Sequence, residues 1–225
     1  IASIATSTVR KLKPAASVEH QSSTYPQSWT FGVTAALAEQ NDFLQGDFYG
    51  DQRQGSFVRK LLERLSPNRP FGYETSFSVR LADHTAMKSE ALLTVKAAAA
   101  IADSAAFVFI DGIDPIGKVN PRTHQRMGKI FDQMMPYYAH LGGERVRDVA
   151  VFYSFESKFD MNGNGSHIRA PKTTDAHTNS SMRAASLIIS RQLPLGVISK
   201  GSLADLKDLK VLVMSNVNMM DHEEC

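Results

Sequence analysis

Four short apolar stretches in the first 115 residues each run into polar residues at their carboxyl ends, and helical stretches separate them. The polar ends are Glu19-His20, Asp47, Glu74, and Asp111 with Asp114. This pattern admits few folds. Apolar strands separated by helices build a parallel sheet covered on both faces, with right-handed crossovers. In such sheets ligands sit beyond the carboxyl ends of the strands. One polar strand end reads as a solvated loop; four in succession define a shared rim that can carry chemistry.

The elements follow from local pattern. Pro14 to Ser23 reads as a short strand, and Thr30 to Asn41 as a short helix with Val33 and Leu37 apolar. Asp42 to Asp51 is a strand opening into a polar loop. Ser56 to Leu65 reads as a helix with Ser56 as N-cap and Phe57, Leu61 and Leu65 on one face. Arg69 to Phe77 is the third strand, and an Ala- and Leu-rich helix runs from about Lys88 to Ala102. The fourth unit is AFVFIDGIDP, followed by an amphipathic helix that Pro136 interrupts. After Gly142-Gly143 the pattern restarts, with strands expected at Arg145 to Ser157, Leu195 to Ser199 and Val211 to Val217 and a helix over Ser180 to Leu193. That order opens a flavodoxin-like sheet, so Gly142-Gly143 divides the chain into 1–143 and 144–225.

Composition removes several classes of function. No window holds eighteen uninterrupted apolar residues, which argues against a membrane span. Lys plus Arg number 25 against 23 Asp plus Glu, a balance that leaves no nucleic-acid footprint. One Cys, at position 225, excludes a disulfide framework and a thiolate-rich metal site. The seven His are dispersed (His20, His84, His124, His140, His167, His177, His222), none paired at the i, i+4 spacing of a zinc peptidase, so no metal is expected. The GNGS stretch at Gly163 to Ser166 lacks the Lys of a phosphate loop, and no nucleotide or other cofactor is expected. Asn164 and Asn179 open Asn-x-Ser tripeptides, which arise often by chance. Both ends read as cut: residue 1 is Ile, and the chain stops where a strand would hand over to a helix. The compartment is therefore open, with the cytoplasm favoured.

Three stretches carry a family resemblance. DFLQGDFYG is similar to the sixth strand of a glycoside hydrolase (β/α)8 barrel, and PFGYETSF to its seventh. RDVAVFYSFES with DLKDLKVLVMSNVNMMDHEE resembles the first and third strands of a trimerisation domain. Together they resemble the β-galactosidases of glycoside hydrolase family 42 and related barrel proteins. The fold so implied is α/β: a partial TIM barrel of about the last four β/α units, followed by an incomplete flavodoxin-like open parallel sheet. The resemblance implies an exo-acting glycosidase in the full-length protein, with a carbohydrate substrate and a homotrimer as its assembly. It gives the second sheet an oligomer-forming role in place of a flavin site.

On that resemblance Glu74, at the end of the seventh strand, is the nucleophile, and the proton donor precedes residue 1. A half barrel cannot close, so the isolated chain is expected to be inactive. Retaining cleavage needs two carboxyl groups about 5 Å apart, one attacking the anomeric carbon and one protonating the leaving oxygen. Asp47 and Tyr49 flank Phe48, share one face, and are candidates for sugar hydroxyls. Glu19, His20 and Asp111 are further substrate-binding candidates at neighbouring strand ends. Trp29, with Tyr25, lies in the loop after the first strand, where aromatic rings stack on sugars or fill a core. The residues leave the sugar open: a β-galactosidase-like enzyme, an α-L-fucosidase-like or other exo-glycosidase, or a non-catalytic carbohydrate-binding or scaffold barrel.

Overall fold

The computed structural model describes residues 1–68, 71–80, 83–163 and 175–225. The GNGS stretch from Asn164 onward and His167 lie outside the described residues, as does the start of the expected strand at Arg69. Among the described residues no helix is long and apolar enough to cross a membrane, and no three His, Cys, Asp or Glu side chains converge as a metal site.

Two parallel sheets organise the chain. The first contains β1 (Leu44–Asp47), β2 (Phe71–Ser76) and β5 (Ala106–Ile110) in the order β1-β2-β5. Leu44 pairs with Phe71 and Asp47 with Glu74; Gly72 pairs with Ala106 and Ser76 with Ile110. The second contains β6 (Val149–Phe152), β7 (Leu195–Ile198) and β8 (Val211–Val213) in the order β7-β6-β8. Helices α2 (Gln52–Leu65), α3 (Glu90–Ala102) and α4 (Pro121–Met134) follow the strands of the first sheet, and α5 (Ala176–Ser190) crosses between β6 and β7. This is the expected α/β architecture, an unclosed part of a TIM barrel followed by an incomplete flavodoxin-like sheet.

The register fixes which residues face which way. Side chains alternate along a strand, so Gln45, Asp47, Gly72, Glu74 and Val108 share the face opposite the helices. Phe71, Tyr73 and Phe107 point to the helical layer, where Tyr73 stacks on Phe107 and Phe107 meets Phe131 of α4 edge-on. Phe57 and Leu61 of α2 are fully buried in this layer, each stabilising the fold by about 2–3 kcal/mol.

Several elements differ from the sequence expectation. An additional helix, α1 (Ala2–Leu12), opens the chain. Residues 14–23 form no ladder strand, although they run extended beside β1: Asp42 N–H donates to Val18 O at 2.8 Å and Ser22 N–H to Gln45 O at 2.9 Å. The Asp42 and Asn41 side chains take the amides of Val18 and His20, leaving them unavailable for a regular ladder. The expected helix over 30–41 is two 3-10 turns, Trp29–Phe31 and Ala35–Gln40, separated where Gly32 takes φ +70°. Helix α2 starts a turn before Ser56 because Asp51 and Gln54 close a capping box. Helix α5 begins at Ala176 under an Asp175 cap rather than at Ser180. Residues 200–208, read as linker, are 3-10 helix. An antiparallel hairpin, β3 (Ser78–Arg80) with β4 (Asp83–Met87), extends from the carboxyl end of β2. At Pro136 the α4 helix does give way to a 3-10 segment, Met135–His140.

Candidate active site at the carboxyl ends of the first sheet

Glu74 occupies the middle strand of the first sheet, opposite Asp47 at the end of β1, and is 9% exposed. Its Oε1 accepts a hydrogen bond from Gln45 Nε2 on the neighbouring strand. Gln45 reaches it because its register partner is Gly72: a Cβ there would lie 2.5 Å from Gln45 Cγ. The absent side chain is thus the space in which the Gln45 arm lies. A carboxylate placed by a strand and held by a second strand has little rotational freedom, which is what a group attacking one atom requires.

Glu19 approaches the same residue from the extended segment. The Gln45 main-chain amide favours the charged form of its carboxyl group. Burial raises the Glu19 pKa, the negative charge of Glu74 raises it further, and the Gln45 amide opposes both. Glu19 therefore holds its proton more tightly than an ordinary carboxyl group, and its Oε1 is a buried oxygen with no hydrogen-bond partner. A carboxylate held by Gln45, with a second carboxyl group of raised proton affinity acting on it through charge, is the raw material of acid–base and nucleophilic chemistry.

Asp47 and Tyr49 share a face as their spacing predicts, and the Tyr49 hydroxyl donates to Asp47 Oδ2. Burial raises the Tyr49 pKa, as do its bond to Asp47 and the charges of Asp47 and Glu74. The Lys88 ammonium lies 5.8 Å from the centre of the Tyr49 ring and donates to Ser76 O at 2.6 Å. Burial pushes its pKa below the usual lysine value. Lys96, on α3, donates to Gly50 O at 3.2 Å and so ties down the loop after Tyr49. Burial and the neighbouring cations Lys88 and Arg59 lower its pKa to about 8, against the opposing pull of Asp51. Asp111 follows β5, with Oδ2 buried and unpartnered.

The other candidates point elsewhere. The His20 ring meets Thr6 Oγ1 at 2.8 Å, and the Thr6 hydroxyl donates to Gln40 O, so His20 Nε2 is the donor of that pair. His20 thereby ties the extended segment to α1, and Thr6 ties α1 to the 3-10 turn at 35–40. The Trp29 ring packs on Phe159, centroids 4.9 Å apart, from the segment after β6. Of the sequence candidates, Glu19, Asp47, Tyr49 and Glu74 are thus linked through Gln45 or through their mutual charges. Gln45 and Lys88 were missed by sequence reasoning. The Gln45–Gly72 pairing is a signal only once the strand register is known. Lys88 reaches the rim through the unanticipated hairpin.

A cavity of about 460 Å³ lies at the opposite end of the sheet, lined by Ile101, Ser104, Met134 and Tyr137 among others. It contains none of the rim residues.

The fold has parallels among solved structures. The chain is similar to α-L-fucosidase isoenzyme 2 from Paenibacillus thiaminolyticus, with TM-score 0.73, 17% identity, and coverage of 98% of this chain and 32% of that one. It is also similar to a β-galactosidase from Bacillus circulans sp. alkalophilus, with TM-score 0.67, 16% identity, and coverage of 92% and 33%. A family 42 β-galactosidase from G. stearothermophilus matches with TM-score 0.63, 14% identity, and coverage of 92% and 34%. The chain therefore spans about a third of the length of these structures. At these identities the likeness is one of fold: a parallel α/β barrel segment joined to a flavodoxin-like sheet. No family model matches the sequence, and no curated protein matches it.

Proposed function

We propose that this chain carries the nucleophile side of an exo-glycosidase site, with Glu74 as the attacking carboxylate. The observation that carries the reading is the placement of Glu74: a nearly buried carboxylate on the middle strand, held by Gln45, with Asp47 on the same sheet face. Attack by Glu74 on the anomeric carbon forms a glycosyl ester while the leaving oxygen takes a proton from an acid. Water then cleaves the ester as the acid, now a base, takes a proton from it. In the full-length protein that acid is assigned to a strand preceding residue 1. Glu19, Asp47 and Tyr49 bind sugar hydroxyls around the reacting carbon, and Asp111 offers a further acceptor at the next strand end.

An α-L-fucoside is the first substrate to test, because the fucosidase covers more of this chain, at a higher TM-score, than the two β-galactosidases above. A β-D-galactoside is the second. We further propose that 1–143 and 144–225 are the two modules of the chain, and that the second joins copies into a homotrimer.

The test is hydrolysis of aryl α-L-fucoside, β-D-galactoside, β-D-glucoside and α-L-arabinoside by the full-length protein, beside Glu74→Ala. A loss of about 10³-fold or more in the variant supports an essential role, and a covalent sugar adduct on Glu74 identifies the nucleophile. Undiminished turnover in Glu74→Ala refutes the assignment. Sugar binding without turnover by the wild type would favour a carbohydrate-binding barrel.

A further inference from the structure

The second sheet runs in the order β7-β6-β8, so the chain leaves β6 for β7 on one side and then crosses to β8 on the other. Such a reversal of strand order is a switch point, where open parallel sheets bind ligands in the crevice beyond the strands' carboxyl ends. Here the chain's own loops are bonded across it. The Ser157 hydroxyl, after β6, accepts the amides of Asn218 and Met219, after β8, at 3.0 Å each. It donates in turn to Met219 O at 3.0 Å. Ser154 Oγ lies 3.3 Å from the same carbonyl and accepts Ser157 N–H at 3.0 Å. Ser154 and Ser157 are both buried. Farther along the segment, the Lys200 ammonium pairs with Asp221 and, at 3.2 Å, with Glu223.

His177 fastens the same two loops from a third side. Its ring, fully buried in the first turn of α5, accepts Ser154 N–H at Nε2, 3.0 Å away. Its Nδ1 faces Ser215 O at 3.0 Å and Asn216 O at 3.2 Å. A main-chain amide only donates and a carbonyl only accepts, so these partners assign the neutral tautomer with its hydrogen on Nδ1. A proton added at Nε2 would face the Ser154 amide, donor against donor. The surroundings resist that proton. Burial disfavours the charged ring most; the Ser215 and Asn216 carbonyls and Asp175 oppose burial, and Lys158 reinforces it. The amino end of α5 likewise disfavours a cation. Asp175 is engaged by the Thr178 amide at 2.7 Å and the Thr178 hydroxyl at 2.9 Å. Lys158 is 2% exposed and donates to Tyr25 O at 2.9 Å. From β6, Tyr153 presents its ring to the imidazole, centroids 5.2 Å apart, and burial raises the pKa of its phenol. Glu156 lies behind Ser154, its Oε2 3.4 Å from the serine hydroxyl.

We propose that residues 215–219 are a built-in stopper of the switch-point crevice, and that His177 is the pH-sensitive pin that holds it in place. The neutral ring joins the loop after β6 to the loop after β8; protonation breaks the bond to Ser154 and opens the crevice. The His177 pKa lies below its ordinary value of 6.5 in the folded protein. The closed arrangement is therefore favoured above that value and lost as pH falls through the lower folded-state value. Neither His177 nor the two serines belong to the rim around Glu74, so the device stands whether or not the glycosidase reading holds.

The experiment follows hydrogen exchange of the full-length protein from pH 7.5 to pH 4.5, corrected for the intrinsic pH dependence of exchange. Amides 154–157 and 215–219 should lose protection at least about tenfold on acidification, while β1, β2 and β5 keep theirs. His177→Gln removes the titrating ring, and its amides over 215–219 should be equally protected at both pH values. Wild-type protection over 215–219 that persists to pH 4.5 overturns the proposal. So does a loss shared by β1, β2 and β5, which is global acid unfolding. An equal acid loss in His177→Gln assigns the release to another group and removes His177 from the device. Should that variant not fold, nitrogen-15 shifts of the His177 ring in labelled wild type decide. The Nδ1–H tautomer should give way to the doubly protonated ring at the pH where protection falls, and a ring that stays neutral through the release overturns its role.

Discussion

Replacing Asp103 by Asn tests how the two sheets are held to one another. Asp103 ends α3, and its carboxylate accepts Arg59 Nε at 2.6 Å, Lys60 Nζ at 3.1 Å and Arg145 Nη1 at 2.6 Å. Its carbonyl takes a further bond from Arg145 Nη2 at 3.2 Å, and Arg145 also meets Glu63 at 2.6 Å. The side chains of Asp103, Arg59 and Lys60 are 9%, 4% and 10% exposed, so the anion is the counter-charge of a buried group. Removing one partner of a buried ionic cluster costs about 3–5 kcal/mol, because the remaining charges are left uncompensated. For a chain of this size each kcal/mol moves the midpoint by about 2–4 °C, so a drop of about 6–20 °C is expected. The pH dependence has a definite sign. Burial alone would raise the Asp103 pKa, but Lys60, Arg59 and Arg145 outweigh it and hold the pKa below the ordinary value of 3.8. The carboxylate's contribution is therefore present above that value and lost as pH falls through the lower folded-state value. Thermal unfolding followed by circular dichroism from pH 7 to pH 3 should show the large difference at neutral pH narrowing in acid. A midpoint within 2 °C of wild type at pH 7 would refute the reasoning.

Two further predictions concern the site and its support. Gly72→Ala places a Cβ 2.5 Å from Gln45 Cγ and should push the amide off Glu74. The expected result is a fall of about tenfold in kcat/KM with a fold intact by circular dichroism; unchanged kinetics would show that Gln45 does not orient Glu74 for the proposed reaction. Burial lowers the Lys158 pKa to about 8, against the opposing pull of Asp175. A depressed lysine penalises the fold below about pH 8, and the penalty lifts as pH rises toward the ordinary value of 10.5. Wild type should therefore gain stability relative to Lys158→Met between pH 7 and pH 9.5, measured by urea midpoints at both values.

The strand–helix alternation was readable because its signal is local: apolar runs, caps, Gly and Pro. β1, β2, β5, β6 and β7 fall inside the stretches read as strands, with the polar ends where the rim forms. What was not readable depended on partners distant in sequence. Residues 14–23 have a strand's apolar start, but the side chains of Asn41 and Asp42 intercept their amides, and nothing near Val18 announces that. Lys158 in FESKFD reads as a surface residue; its burial follows from a loop more than a hundred residues away. The site divides in the same way. Glu74 and the Asp47–Tyr49 pair were visible from position and spacing. Gln45, which donates to Glu74, was hidden because an apolar strand with a Gln in it offers no chemical signature until Gly72 is known to lie opposite.

Helix α2 explains why the sequence separates the chain at Gly142-Gly143 while the structure packs across it. Its Phe57-Leu61-Leu65 stripe reads as one buried face, yet Gly55, Val58, Arg59, Lys60 and Leu62 are buried as well. The helix is interposed between the sheets. Towards the first, Gly55 makes room for the Tyr73 hydroxyl, and the Arg59 guanidinium lies 5.0 Å from the centre of the Tyr73 ring. Towards the second, Phe57 meets Tyr153 edge-on with centroids 5.6 Å apart. A single apolar cluster accordingly includes Leu44, Phe71 and Phe107 together with Val151, Ala185 and Val197. Burial on both sides strands the two cations on α2 away from water, which Asp103 offsets from the end of α3. It also brings Tyr153, beside Phe57, within reach of the Tyr25 carbonyl. The helix that joins the sheets thus creates both the need for the buried ionic cluster and the contact from the second sheet to the loop at Tyr25.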